Sequence, residues 1–177
     1  SMQFLPLCFL GLLALSCSLL SGCSASATAW GGKTYRYELN YGQSVILRDG
    51  YAIAPRHAPP AVHRIVAAGN RLQGRPYKYG GGHARVEDSG YDCSGTVSYV
   101  LIKSGYLKSP MCSKGLKRYG SRGSGEWVTI YARDGHTFMT VGGLRLDTGY
   151  RGKGDGPTWT TRPRPISGYA QRHPQGL

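Results

Sequence analysis

The chain has 177 residues, room for one domain of ordinary size, and 40% of them are apolar, enough for a single core. That balance excludes a disordered charged tail and a bundle of membrane spans. Lysine and arginine number 22 against 9 acidic residues, a formal charge of +13, and the 27 glycines follow no short period, which points to many turns rather than collagen or long helices.

Residues 1–22 carry no charged side chain and hold a dense apolar run from Phe4 to Leu20. The run ends in Leu20-Ser21-Gly22-Cys23, followed by the small residues Ser24 to Ala27. An apolar stretch followed by small residues reads as an export signal, although no basic residue precedes it. Leu-Ser-Gly-Cys resembles a bacterial lipobox. That resemblance implies cleavage before Cys23 and attachment of a lipid to its thiol, with Ser24 favouring the outer membrane in a Gram-negative cell. The expected location is therefore the cell envelope, lipid-anchored, and facing the periplasm in that case. The charge excess lies entirely downstream of the apolar segment. An exported basic surface meets anionic cell-wall polymers and lipid head groups, so nucleic acid is not the expected partner.

Residues 24–34 read as a tether of small residues. Tyr35 to Leu39 and Ser44 to Leu47 read as two strands around Gly42. Val62, Ile65, Val66, Ala68 and Leu72 recur at helical spacing, and Gly74 and Pro76 stop that helix. A slim loop, Tyr77 to Gly82, comes next. Val97, Val100 and Leu101, with a stop at Gly105, predict a second helix beginning at Asp92 or Cys93. Ser113 to Gly125 reads as a basic loop. Glu126 to Ala132, His136 to Val141 and Leu144 to Asp147 read as consecutive strands joined by Asp134-Gly135 and Gly142-Gly143. Residues 158–177 read as an irregular strand. Helices followed by an antiparallel sheet make an α+β pattern. The division is 1–22 signal, 23–60 tether and first strands, and 61–177 main domain.

Five cysteines occur, and only Cys93 and Cys112 fall downstream of the lipobox. A disulfide between them is one reading in an oxidising compartment. The other starts from the position of Cys93. Unsatisfied N–H groups at a helix start favour negative charge on sulfur. A thiolate nucleophile needs a base, and His136 opens a downstream strand. Asp147 stands across the following hairpin, where it can face His136 and orient the ring. No metal-ligand pattern accompanies them, and no cofactor is expected. His57 and His63 read as surface residues. His83 reads as a solvated loop residue, although it stands close to Cys93 in sequence. His173 is a weaker candidate than Asp147 for the third group, and Cys112 reads as a spectator thiol. Trp127 and Trp159 read as core or cleft wall.

The segments Pro76-Tyr77-Lys78-Tyr79-Gly80-Gly81, Tyr91-Asp92-Cys93-Ser94-Gly95, Gly125-Glu126-Trp127-Val128 and Gly135-His136-Thr137-Phe138-Met139 resemble the NlpC/P60 cell-wall peptidases over about residues 61–150. The resemblance implies a papain-like α+β fold, in which a helix bearing cysteine packs on a five- or six-stranded sheet bearing histidine. It also implies hydrolysis of peptidoglycan stem peptides, commonly between D-γ-glutamate and the diamino acid. Cys93 takes the place of the nucleophile and His136 that of the base. Asp147 falls where the family has a third polar residue, usually His, Asn or Gln, so aspartate is a departure. Tyr77 matches a cleft tyrosine, while Asp92 and Ser94 match positions near the amino end of the bound peptide. The stretch 82–90 is longer than usual and puts Tyr79 forward as an alternative to Tyr77. The chain is expected to act as a monomeric cysteine endopeptidase. The other readings are an amidase or acyltransferase on the same fold and a non-catalytic wall-binding lipoprotein.

Overall fold

The structure is a computed structural model that describes residues 44–149 and 154–177. The export segment, the lipidation site Cys23, the tether and the strand expected at 35–39 lie outside the described residues. The first described strands are β1 (Ile46–Arg48) and β2 (Tyr51–Ile53), which pair with each other. Asp49 and Gly50 both have positive φ, 51° and 82°, as a two-residue hairpin turn requires. The expected strand at 44–47 is thus shifted, and its described partner follows it in sequence. Ala52 is buried, and its N–H and C=O are both bonded at 2.9 Å by the side-chain amide of Asn70. That amide stitches the hairpin to the first helix.

Helix α1 (Pro60–Arg71) begins with proline in its first position, where the missing N–H costs nothing. Val62, Ile65 and Leu72 are fully buried, as the helical spacing predicts. Gly69 lies on the same helix, and a Cβ there would collide with the indole of Trp159. Helix α2 (Cys93–Lys103) is buried from Ser94 through Leu101 and lies at the centre of the molecule. Gly105, at φ 87°, closes its C-terminal end. Ser113 to Gly125 is more ordered than a loop: it contains α3 (Ser113–Leu116) and the edge strand β3 (Ser121–Arg122). The fully buried Leu116 anchors this stretch.

The strands β4 (Val128–Arg133), β5 (His136–Val141) and β6 (Leu144–Asp147) follow as a meander. The tail supplies β7 (Thr158–Thr160) and β8 (Ala170–His173) rather than one irregular strand. The result is a six-stranded antiparallel sheet in the order β3-β8-β4-β5-β6-β7. The architecture is α+β. Side chains alternate across a sheet, so its two faces separate in the register. Ile130 pairs with Met139, Met139 with Leu146, and Leu146 with Trp159. These residues join the α1 and α2 side chains in one apolar cluster. Trp127 belongs to the same cluster. On the other face Arg133 pairs with His136, Tyr131 with Phe138, and Thr140 with Arg145.

Candidate active site

Asp92 caps α2 from an extended conformation, and its carboxylate organises the start of the helix. Oδ1 accepts the N–H of Gly95 at 2.6 Å and the hydroxyl of Ser94 at 3.0 Å. Oδ2 accepts the N–H of Gly80 at 3.0 Å. The carboxylate thus ties the slim loop to the first turn that carries Cys93. The fit requires glycine at 95, because the carbonyl of Gly81 occupies the space that a Cβ there would need. Tyr77 and Tyr91 form a parallel bridge beneath the loop.

The long stretch 82–90 is held from within. Asp88 accepts Lys78 Nζ at 2.7 Å and the N–H of Gly82 at 3.2 Å. The Lys78 hydrogen bond, followed by backbone N–H donors of Gly82 and Ser89, holds the Asp88 carboxyl well below the usual carboxylate range. The same stretch delivers His83 to the site. Its Nε2 lies 3.1 Å from Asp92 Oδ1 and 3.1 Å from Ser94 Oγ. The solvated-loop reading of His83 is therefore corrected: the ring is half-buried against the helix cap. Sequence proximity to Cys93 was its one signal, because a loop carries no periodicity to say which way a side chain turns.

His136 opens β5 directly after the Asp134-Gly135 turn and is half-buried. Its Nε2 lies 2.9 Å from Asp147 Oδ1. Asp147 is inaccessible to solvent on β6, and the N–H of Thr148 donates to the same Oδ1 at 2.8 Å. Burial opposes charge on the His136 ring. Hydrogen bonds to Asp147 and to the Cys93 side chain, together with the Asp147 charge, outweigh it and raise the pKa above 6.5; Arg164 acts in the opposite sense. Cys93 and His136 thus meet where the helix tip reaches the end of the strand. Nε2 is committed to Asp147, which leaves Nδ1 as the nitrogen for proton exchange.

Of the expected site residues, the fold brings together Cys93, His136 and Asp147, with Asp92 and Ser94 around the same helix tip. Tyr77 is close enough for burial and the charges of Cys93 and Asp92 to raise its phenol pKa. Tyr79, the alternative, is 90% exposed. Cys93 and Cys112 are both free thiols, so the disulfide reading is excluded, and Cys112 is exposed. His57 and His63 are exposed. His173 lies 3.1 Å from the carbonyl of Gly123 through Nδ1 and is not part of the cluster. The sequence reading missed Arg145 and Arg164, which approach Asp147 Oδ2 at 3.5 and 2.5 Å. No spacing rule links Arg164 to a carboxylate two strand connections away.

No family model matches the chain, and no curated protein matches it. Among solved structures, one similar chain is RipD from Mycobacterium tuberculosis, described as a non-catalytic NlpC/p60 domain protein adapted to peptidoglycan binding. It is 19% identical with a TM-score of 0.49, over 66% of this chain and 98% of that one. Two variants of the Resuscitation Promoting Factor Interacting protein RipA, one altered at a glutamate and one at a histidine, are also similar. The first is 24% identical with a TM-score of 0.49, over 68% of this chain and 66% of that one. The second is 22% identical with a TM-score of 0.47, over 64% and 61%. The chain thus spans less than two thirds of each RipA chain.

Proposed function

We propose that the chain is a cysteine endopeptidase that hydrolyses peptidoglycan stem peptides. One observation carries this reading: a free thiol at a helix tip meets a strand histidine whose far nitrogen is held by a buried carboxylate. That arrangement suits acyl transfer. The proton of Cys93 passes to His136 Nδ1, and the thiolate sulfur attacks the scissile carbonyl carbon. The Cys93 N–H, in the first turn where helix donors lack intrahelical partners, is the first candidate donor to the developing oxyanion, a contact worth about 3 kcal/mol. The Tyr77 hydroxyl is the second candidate donor. His136 returns its proton to the departing amine as the carbon–nitrogen bond breaks. It then takes a proton from water, which displaces the sulfur and releases the acid.

The substrate class rests on the motifs that resemble NlpC/P60 peptidases and on the export and lipobox segment. Within that class, the bond between D-γ-glutamate and the diamino acid is the expected cut. Asp92 and Ser94 stand where the amino end of the peptide would bind. Lipidation at Cys23 and residence in the envelope belong to the same proposal. Digestion of purified peptidoglycan, followed by mass spectrometry, tests it. Shortened stem peptides that disappear with Cys93→Ala support the reading. Free glycan released from intact stems would indicate an amidase. Binding to peptidoglycan without products, and no labelling of Cys93 by a thiol-reactive probe, would indicate a wall-binding protein.

A further inference from the structure

Asp147 raises a difficulty that the thiol–imidazole pair does not resolve. A buried carboxylate is stable only when paired. While His136 is protonated, the imidazolium supplies the counter-charge. Each turnover also passes through a neutral ring, and a solvent-inaccessible carboxylate then needs a second partner to hold its place.

We propose that Arg164 is a positioning residue of this site: its guanidinium on Oδ2 fixes the angle of the Asp147 carboxylate so that Oδ1 stays aimed at His136 in both protonation states of the ring. This rests on the reading of Cys93 and His136 as the reacting pair. The two carboxylate oxygens divide the work. Oδ1 takes His136 Nε2 and the Thr148 N–H, at 2.9 and 2.8 Å. Oδ2 takes Arg164 Nη1 at 2.5 Å. Arg145 adds charge at 3.5 Å, but its buried Nε makes no hydrogen bond, so it does not fix the angle of the carboxylate.

The presentation of Arg164 is also built. It lies between Pro163 and Pro165, whose rings fix φ, in the connection between β7 and β8. The Arg162 N–H is tied back to Thr160 Oγ1 at 3.1 Å. The guanidinium stands 5.9 Å from the Phe138 ring centroid, with that of Arg145 5.8 Å from the same ring. A lysine would keep the charge and lose the fork that orients the carboxylate.

The groups facing His136 are Cys93 from α2, Asp147 and Arg145 from β6, Arg133 opposite it on β4, and Tyr169 ahead of β8, whose ring centroid is 6.4 Å away. The charge of Arg164, held on Asp147, also reaches His136 and acts against the raising effect of Asp147.

The test is an NMR titration of the His136 ring in the wild type and in Arg164→Gln, Arg164→Ala and Arg164→Lys, alongside the pH profile of kcat/KM. The neutral variants are expected to raise the His136 midpoint by about half a unit or more and to carry the alkaline limb of the profile with it. Arg164→Lys is expected to restore the midpoint while kcat/KM stays below wild type. A midpoint that is unchanged or lowered in the neutral variants overturns the proposal. The wild type gives an independent reading should those variants not fold: the Arg164 side-chain N–H signals are expected to exchange with water more slowly than those of exposed arginines, and exchange at the exposed rate overturns the proposal. Neither NMR measurement needs turnover. Failure to cut stem peptides would therefore refute the proposed function separately.

Discussion

The two faces of the central sheet are built on opposite principles from the same strands. Toward the helices, Ile130, Met139, Val141 and Leu146 are fully buried and apolar, and they pack on α1 and α2. On the reverse, His136, Asp147, Arg145, Tyr131 and Phe138 combine charge with aromatic rings. Tyr131 and Phe138 stack at 4.7 Å, and Tyr169 meets Phe138 edge-on at 5.3 Å. The first face holds the fold by area removed from water, about 1.5–3 kcal/mol for each large aliphatic side chain. The second spends burial on keeping a carboxylate and its partners in place. A shift of one residue in register would exchange the two sets. The meander turns that fix the register therefore position the chemistry as well as the core.

The difference is open to direct attack. Cys93→Ala has the largest expected effect: loss of stem-peptide cleavage by about 10⁴-fold or more, with thermal stability within about 1 kcal/mol of wild type. Peptide release assays beside a melting curve check it, and a large stability loss would make Cys93 a core residue. On the apolar face the pattern inverts. Met139→Ala is expected to cost about 2–5 kcal/mol of folding free energy, read by denaturant titration, while the fraction that remains folded keeps its kcat. Asp147→Asn sharpens the comparison, because it conserves volume and removes charge. It is expected to lower kcat/KM by about a hundredfold. The alkaline limb of its pH profile should move to lower pH, since the carboxylate is what raises the His136 pKa.

A smaller effect separates the faces through pH alone. The folded-state pKa of His136 is raised, so the folded protein holds a proton that the unfolded chain gives up sooner. The stability this contributes is complete below the unfolded value of 6.5 and is lost as pH rises through the folded value. Unfolding free energy measured across that window should decline in the wild type, and this contribution should vanish in His136→Gln. The smallest change is expected at Cys112→Ser. An exposed free thiol outside both faces should alter stability by no more than about 0.5 kcal/mol and leave labelling of Cys93, mapped by mass spectrometry, as it was.

Periodicity and punctuation made the helices and the central meander readable. Val62, Ile65 and Leu72 lie at helical spacing, Asp92 is a capping residue ahead of a buried run, and Asp134-Gly135 and Gly142-Gly143 separate β-rich segments. The partner of β1, the edge strand β3 and strand β8 were not readable, because strands of two to four residues carry too little alternation. The tryptophan at 159 was recognisable as core, but its seat against Gly69 follows from the packing of α1 against β7.

The site divides in the same way. Local chemistry was enough to select Cys93 at its helix start, to pair it with His136, and to place Asp147 across the hairpin, because each depends on a few neighbouring residues. His83 and Arg164 depend on something else. One reaches the helix cap through a loop of nine residues tied by Asp88, and the other returns on a proline-braced connection to meet a carboxylate 17 residues earlier in the chain. Spacing along a chain specifies what a regular element can bring together. Where a charged side chain arrives from an irregular segment, only the packed structure decides, since many loop paths share one composition and the buried charge accepts the single path that pairs it.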